Sequence, residues 1–298
     1  MTETAPDPIA GWFDAHRGQL RSLAYRMLGS LSDVDDALQE TWLRARAADS
    51  TRVENPGGWL KTILARVCLN MLRARGSRRE EPLGAHLPDP IVTRADAGDP
   101  EQEALLAESV GLALQVVVQT LTPAERLAFV LHDIFDLPFD QIAPILERSP
   151  AATRQLASRA RRRVQGAPAA PDADLAEQRR VVDAFFTAAR RGDLDALVAV
   201  LDPDVVLRAD LGPTPASRVM RGVSEVLRYA RAPEGAALIP ALVNGAPGAV
   251  VTRHGALFSV MAFTVRGGRI VEIDAFGDRE RLRELDLRAV LSSADASR

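Results

Sequence analysis

Two proline-bearing breaks limit what this chain can fold into more than any other feature. Residues 81–99 carry Pro82, Pro88 and Pro90 with Gly84 and Gly98, and residues 166–174 read Gly-Ala-Pro-Ala-Ala-Pro-Asp-Ala-Asp. Proline lacks a backbone donor and clashes with the preceding turn, so neither stretch continues a helix. The breaks leave blocks at 8–80, 100–165 and 175–290, and 298 residues accommodate two domains with room for a third. A composition of 47% hydrophobic and 26% charged residues can build packed cores, which excludes a wholly disordered or fibrous chain.

The periodicities differ between blocks. In the first, Leu20, Leu23, Ala24, Met27 and Leu28 recur at helical spacing, as do Val34, Ala37, Leu38, Thr41 and Trp42. Asn55-Pro56-Gly57-Gly58 predicts a turn opening a helix from Trp59 to about Arg75. The second block predicts a helix from Glu101 to Gln119, then another N-capped by Thr122 with Pro123 at its first position. The third predicts helices over Leu175–Arg191 and Leu194–Val200, then strands over Val205–Asp210, Ala236–Val243, Ala249–Arg253, Leu257–Val265 and Arg269–Phe276, with Gly267-Gly268 turning the last hairpin. That block is α+β.

The net charge of −3 gives no hint of a nucleic-acid partner, but its distribution does. Residues 60–80 hold Lys61, Arg66, Arg73, Arg75, Arg78 and Arg79 against Glu80 alone, and residues 148–163 hold Arg148, Arg154, Arg159, Arg161, Arg162 and Arg163 against no acid. Lys61 is the single lysine, so the cationic charge is nearly all guanidinium, which forks onto phosphates and base edges; codon bias in a GC-rich genome is the plainer cause of that preference. Cys68 is the only cysteine, which excludes an intramolecular disulfide framework and fits a cytoplasmic location. The N-terminus does not read as a secretory signal, and Val110–Leu121, the most apolar stretch, is far short of the roughly 20 residues of a membrane span. His16, His86, His132 and His254 are scattered without ligand spacing, so neither a metal nor a cofactor is implied.

Residues 137–156 have helix-turn-helix spacing, with Asp140 capping a short helix, Ser149-Pro150 starting a second, and Ile142, Ile145, Leu156, Ala160 and Val164 forming the apolar face between them. Arg148 and Ser149 fall at the turn, and Thr153, Arg154, Gln155, Ser158, Arg161 and Arg162 fall toward the outer face. A major groove admits such a helix, where Arg pairs with guanine and Gln with adenine. A solvated basic helix favoured by its dipole is the competing reading. The acidic cluster Asp33, Asp35, Asp36 and Glu40 suits a protein partner rather than DNA.

Asp33-Val34-Asp35-Asp36-Ala37-Leu38-Gln39-Glu40-Thr41-Trp42, Pro56-Gly57-Gly58-Trp59-Leu60 and Leu69-Asn70-Met71-Leu72-Arg73 resemble region 2 of extracytoplasmic-function sigma factors, and residues 121–163 resemble their region 4. The resemblance implies bacterial transcription initiation without enzymatic activity. It assigns core-polymerase binding to Asp33, Asp35, Asp36, Gln39, Glu40 and Trp42, and reading of the −10 element to Trp59, Lys61, Arg66, Asn70, Arg73, Arg75, Arg78 and Arg79. It assigns reading of the −35 element to Arg148, Ser149, Thr153, Arg154, Gln155, Ser158, Arg161 and Arg162. Asn70 stands where many relatives carry Asp.

Val181-Val182-Asp183-Ala184-Phe185-Phe186, Gly192-Asp193-Leu194-Asp195-Ala196-Leu197, Leu201-Asp202-Pro203-Asp204-Val205 and Val265-Arg266-Gly267-Gly268-Arg269-Ile270 resemble SnoaL-like domains, which are α+β cones with a pocket. The combination is similar to the SigJ-like group of these sigma factors, and Leu87-Pro88-Asp89-Pro90 resembles that group's short proline motif. The resemblance implies regulation in cis through Leu87, Pro88, Asp89 and Pro90. The implied partners are core RNA polymerase, promoter DNA and an unidentified small ligand of the cone, with no membrane. Two stretches depart from the group's pattern, Asp210-Leu211-Gly212-Pro213-Thr214 and Gly277-Asp278-Arg279-Glu280-Arg281. The rival readings are a one-component helix-turn-helix regulator with a ligand-binding cone, and an isomerase or cyclase using Asp210, His254 and Asp274.

Overall fold

A computed structural model describes residues 8–76, 87–94, 112–165, 174–212, 217–229 and 234–295. The chain forms two compact units, 1–81 with 117–167 and 82–116 with 168–298. Of the described residues between the first and second helical blocks, 87–94 and 112–116 group with the α+β unit.

In the helical unit, α1 (Pro8–Leu28), α2 (Leu31–Ala47) and α3 (Pro56–Gly76) pack around Leu20, Leu23, Met27, Leu60, Leu64 and Leu69, all fully buried. The Ser30 side chain caps α2 by accepting from the Asp33 amide. Helix α3 starts three residues before the expected Trp59, because Asn55 Oδ1 accepts the Gly58 amide at 3.0 Å and Pro56 supplies a preset first-turn φ. Burial pushes the Cys68 thiol well above its ordinary pKa. Helix α4 (Leu112–Gln119) is the described part of the helix expected from Glu101, and residues 101–111 lie outside the described residues.

Helix α5 (Pro123–Phe129) opens with the expected Thr122 cap, completed into a capping box by Glu125. The sequence did not signal the π-helical turn over Val130–Ile134 that follows. Helices α6 (Phe139–Leu146) and α7 (Pro150–Gln165) form the helix-turn-helix. The expected Asp140 cap is corrected: α6 starts at Phe139 behind Pro138, and Asp140 sits within the first turn, where its charge suits the dipole. Glu147 makes the turn in the left-handed region at φ 56°.

The second unit wraps a seven-stranded sheet around α8 (Leu175–Arg191) and α9 (Leu194–Val200). Strands β1 (Val92–Arg94), β2 (Leu201–Asp210), β3 (Arg218–Arg221), β4 (Ala236–Val243), β5 (Ala246–Arg253), β6 (Ala256–Arg266) and β7 (Arg269–Phe276) run in the order β1-β4-β5-β6-β7-β2-β3. Neighbours are antiparallel except β2 and β7. Gly267 and Gly268 turn the last hairpin with φ 57° and 71°, as expected, and Asn244-Gly245 and His254-Gly255 make two further hairpin turns with both φ values positive.

Strand alternation splits the sheet into two faces. The inner face buries Leu207, Phe263 and Ile273 against Phe185, Phe186 and Leu197 of α8 and α9. The outer face buries Val250, Val260, Ala262 and Phe276 against Leu87 and Val92, and against Leu282, Leu287 and Val290 from the segment holding α11 (Arg279–Glu284) and α12 (Arg288–Asp295). Strands β1 and β3, α11, α12 and α10 (Val223–Leu227) were not expected from the sequence. Among the described residues no helix is long and apolar enough to cross a membrane.

Phe263 is 4% exposed and meets Phe185 and Phe186 edge to face at centroid distances of 5.3 and 5.2 Å. Replacing Phe263 with Ala is expected to destabilise this unit by about 3–5 kcal/mol. Urea unfolding followed by circular dichroism measures the loss; Trp12, Trp42 and Trp59 all lie in the helical unit, so tryptophan emission would not follow it.

Candidate nucleic-acid interface and linker clamp

The expected polymerase-facing residues share α2 but not one environment. Asp35, Asp36 and Gln39 are exposed. Asp33 pairs with Arg75, Asp35 with Arg21 at 2.5 Å, and Glu40 with Arg44 one turn on at 2.7 Å. Trp42 packs edge to face on Phe13 at 5.4 Å. Asp35, Gln39 and Trp42, spaced four and three residues apart, fall on one helix face. With Phe13, Arg17 and Arg21 of α1 they line a groove of about 460 Å3. Asp36 and Glu40 lie outside that lining.

Helix α3 sorts its expected −10 residues into two sets. Arg66, Asn70 and Arg73 recur at the same helical spacing and are exposed. The other described members are engaged within the unit. Trp59 packs on Trp12 at 6.3 Å, and the Lys61 ammonium sits 5.8 Å from the Phe135 ring centre, with Arg26 5.9 Å from the same ring. Arg75 pairs with Asp33 and donates to the Leu28 carbonyl at 3.5 Å. Arg78 and Arg79 lie outside the described residues.

Helix α7 makes a similar division. Ser149 caps it, accepting the Ala152 amide at 3.2 Å. Arg148, Arg154, Gln155, Ser158 and Arg162 are exposed, and Arg154 lies 5.3 Å from the Phe139 ring centre. Thr153 is corrected: it is fully buried, not outward, because its hydroxyl donates back to the Ser149 carbonyl at 3.1 Å and its methyl packs inside. Arg161 is partly buried and pairs with Asp133.

The anchors of this unit are residues that sequence reasoning left aside. Glu125, 5% exposed, pairs with Arg163 at 2.8 Å and Arg159 at 3.4 Å while also completing its own capping box, so it holds α7 against α5. Arg126, also buried, donates to the Met27 carbonyl at 2.7 Å, the Gln119 carbonyl at 2.6 Å and Gln119 Oε1 at 2.7 Å. Burial, with Arg75 nearby, holds its guanidinium down to about 10.

The second unit places the expected regulatory motif firmly. Leu87, Pro88, Asp89 and Pro90 are all buried. Arg281 of α11 donates to Asp89 from Nε at 2.8 Å and Nη2 at 2.5 Å, to Asp210 Oδ2 from Nη1 at 2.7 Å, and to the Leu87 carbonyl from Nη2 at 2.6 Å. Asp210 Oδ2 also accepts the Leu87 amide at 2.8 Å. Four residues on from Leu87, Ile91 exchanges hydrogen bonds with Asn244, which donates its amide at 2.8 Å and accepts at Oδ1 from the Ile91 amide at 3.1 Å. Strand β1 then pairs with β4, Val92 opposite Val243. Only about 10 Å3 stays open around the clamp, space for one water at most.

The isomerase constellation is not assembled. Asp210 serves Arg281, His254 is exposed at a hairpin tip with φ 50°, and Asp274 pairs with Arg208 at 2.9 Å. Arg208 also pairs with Glu272 at 2.7 Å, so two buried carboxylates share one guanidinium. Burial pushes Asp274 up to about 6, with Arg208 opposing the shift and Glu272 adding to it.

An acidic helix flanking a groove, a basic helix and a helix-turn-helix with an exposed basic row thus share one unit, and the other is α+β. Residues 12–78 match the family model for Sigma-70 region 2 and residues 111–164 that for Sigma-70, region 4. The chain is 43% identical over 221 residues to the ECF RNA polymerase sigma factor SigJ of Mycobacterium tuberculosis (strain ATCC 25618 / H37Rv), covering 73% of this chain and 70% of the relative. It is 34% identical over 282 residues to the probable ECF RNA polymerase sigma factor SigI of M. tuberculosis (strain CDC 1551 / Oshkosh), covering 90% and 92%. The crystal structure of M. tuberculosis extracytoplasmic function sigma factor SigJ superposes with a TM-score of 0.74 at 35% identity, covering 94% of this chain and all of that one. The chain belongs to the extracytoplasmic-function (ECF) sigma factors.

Replacing Arg281 with Ala leaves Asp89 and Asp210 buried without their cation, and is expected to destabilise the second unit by about 3 kcal/mol in urea unfolding. Arg281→Lys keeps the charge but not the fork and is expected to recover only part of that. Asp274 binds its proton more tightly when folded than at its unfolded pKa near 4, so its contribution is full below about pH 4 and is lost as pH rises through 6. Between pH 4 and pH 7 the wild type is therefore expected to lose stability relative to Asp274→Asn, on the order of 2 kcal/mol.

Proposed function

We propose that this sigma factor binds core RNA polymerase through the α1–α2 groove, reads the −35 element with α7 and engages the −10 element through α3, acting in the cytoplasm where polymerase and promoter DNA are found. The observation that carries the reading is the exposed row Arg154, Gln155, Ser158 and Arg162 on a helix whose Arg159, Arg161 and Arg163 pair with Glu125 and Asp133. An exposed Arg/Gln row on the second helix of a helix-turn-helix has the reach and the donors to read base edges, with neighbouring guanidiniums on phosphates. In α2, Asp35, Gln39 and Trp42 offer a carboxylate, an amide and an indole edge around a groove already sized for a protein side chain. Asp36 and Glu40 add negative charge around it. Arg66, Asn70 and Arg73 supply the exposed polar row of α3.

The C-terminal domain acts in cis through the segment that joins the two sigma regions. Leu87 to Arg94 is bonded and packed as part of that domain, so the domain sets where the segment can go when polymerase and promoter engage the flanking regions.

Promoter-directed transcription tests the reading. Core RNA polymerase, a pool of genomic promoter fragments and the full-length chain are expected to yield transcripts from a defined subset of fragments that are absent without the chain; no such subset would refute the function. Arg154→Ala and Arg162→Ala are each expected to cost about 1–3 kcal/mol of promoter binding, roughly tenfold or more, while Thr153→Ser, which keeps the buried hydroxyl, leaves promoter choice unchanged. Gly/Ser replacement of residues 87–90 in the full chain is expected to change transcript yield without changing which promoters are used.

A further inference from the structure

The end of the cone away from its aromatic floor is hollow. Phe185, Phe186 and Phe263 meet edge to face, with centroids 5.2–5.7 Å apart. Above Phe185 and Phe186, a cavity of about 290 Å3 is walled by Leu207, Met220, Leu238, Val251 and Met261. That is roughly twice the volume of an engineered apolar cavity that stays dry and admits benzene, so it has room for a molecule of two or three rings, or a chain of similar bulk. A void of this size forfeits dispersion contacts along its whole lining unless something fills it.

The polar groups at the cavity are few, hydroxyls and a guanidinium. Ser259, 7% exposed, is the buried hydroxyl of the lining. The exposed Arg190 and Tyr229 also line it, and the Tyr229 hydroxyl accepts from Arg218 at 2.5 Å while the same guanidinium lies 5.2 Å from the Tyr229 ring centre. Two guanidiniums thus stand at the rim, and no described lining residue is acidic. A few placed polar groups over an apolar wall are the pattern of small-molecule sites. We propose that this cavity is a binding site for an apolar small molecule carrying a single anionic group, its rings or chain against Phe185, Phe186 and Met261 and its charge toward Arg190. The proposal goes beyond the polymerase role and does not depend on it. Ala209 and Leu211 line the cavity, and Asp210 between them turns to Arg281, so one strand end carries both the binding site and the linker clamp.

The chain contains five methionines, of which Met220 and Met261 line the cavity while Met27 and Met71 lie in the other unit. The full-length chain labelled with 13C at the methionine methyls is titrated with 8-anilino-1-naphthalenesulfonate and with its uncharged counterpart N-phenyl-1-naphthylamine. Both probes are expected to shift the Met220 and Met261 signals saturably at one equivalent and to leave Met27 and Met71 in place, the sulfonate binding several-fold tighter. Arg190→Gln is expected to abolish that preference, and Ala209→Trp, which fills the cavity, to abolish both shifts. Absence of shifts at Met220 and Met261, or equal shifts at all four signals, overturns the site, and this readout on the unaltered chain stands even if Ala209→Trp fails to fold. Equal affinity for the two probes, or a preference that survives Arg190→Gln, overturns the anionic class.

Discussion

The Arg281 guanidinium is the interaction on which the second unit's hold on residues 87–94 depends. Asp89 and Asp210 are 5% and 2% exposed, and burying two carboxylates this far from water is costly unless a cation and its hydrogen bonds pair with both. The planar fork of Arg281 reaches both acids and the Leu87 carbonyl at once, which a lysine's single ammonium could not do with the same geometry. Once that fork is in place, the chain leaving residue 87 is aligned for Asn244 and for the β4 edge. An extended, proline-bearing stretch between two sigma regions thereby becomes the edge strand of an appended sheet. The segment is covered by side chains of Leu282, Leu287 and Val290, so its place is fixed by packing as well as charge.

In the helical unit the same residue type does opposite jobs according to its neighbours. Buried Arg126 donates to backbone carbonyls, and Arg159, Arg161 and Arg163 pair with Glu125 and Asp133, which fixes the helix-turn-helix on its support. Arg154 and Arg162 are left outward. A count of positive charge would treat these arginines alike, yet those paired with an acid carry less net charge toward phosphates than Arg154 and Arg162, and so contribute less to a salt-dependent affinity. The near-neutral chain is thus compatible with DNA binding because the relevant charge is local and the remaining charges are paired.

Much of this was legible in the residues. Thr122-Pro123, the Gly267-Gly268 turn and the two-register pattern of the C-terminal block are local signals, and each element they predict is present. What was not legible depended on partners distant in sequence. Strand β1 is three residues long and exists because β4 pairs with it, so no alternation announces it. Arg281 sits in Arg-Glu-Arg-Leu-Arg-Glu, which reads as a solvated helix turn, and only the fold aims it at acids 71 and 192 residues earlier. Thr153 was placed outward because helical spacing alone cannot tell that its hydroxyl satisfies the Ser149 carbonyl from the inside. The exposed rows of α2, α3 and α7 were anticipated as sets of residues, and the structure divides each set into members that are available and members bound within the unit.

Amide hydrogen exchange across residues 87–94 of the free full-length chain tests most directly the claim that the inter-region segment is part of the appended domain. Leu87 and Ile91 donate to Asp210 and Asn244, and β1 is paired with β4, so these amides are expected to exchange as slowly as those of β4, and to lose that protection in Arg281→Ala. Exchange at the rate of an unstructured peptide in the wild-type chain, or protection unchanged by Arg281→Ala, would contradict the account.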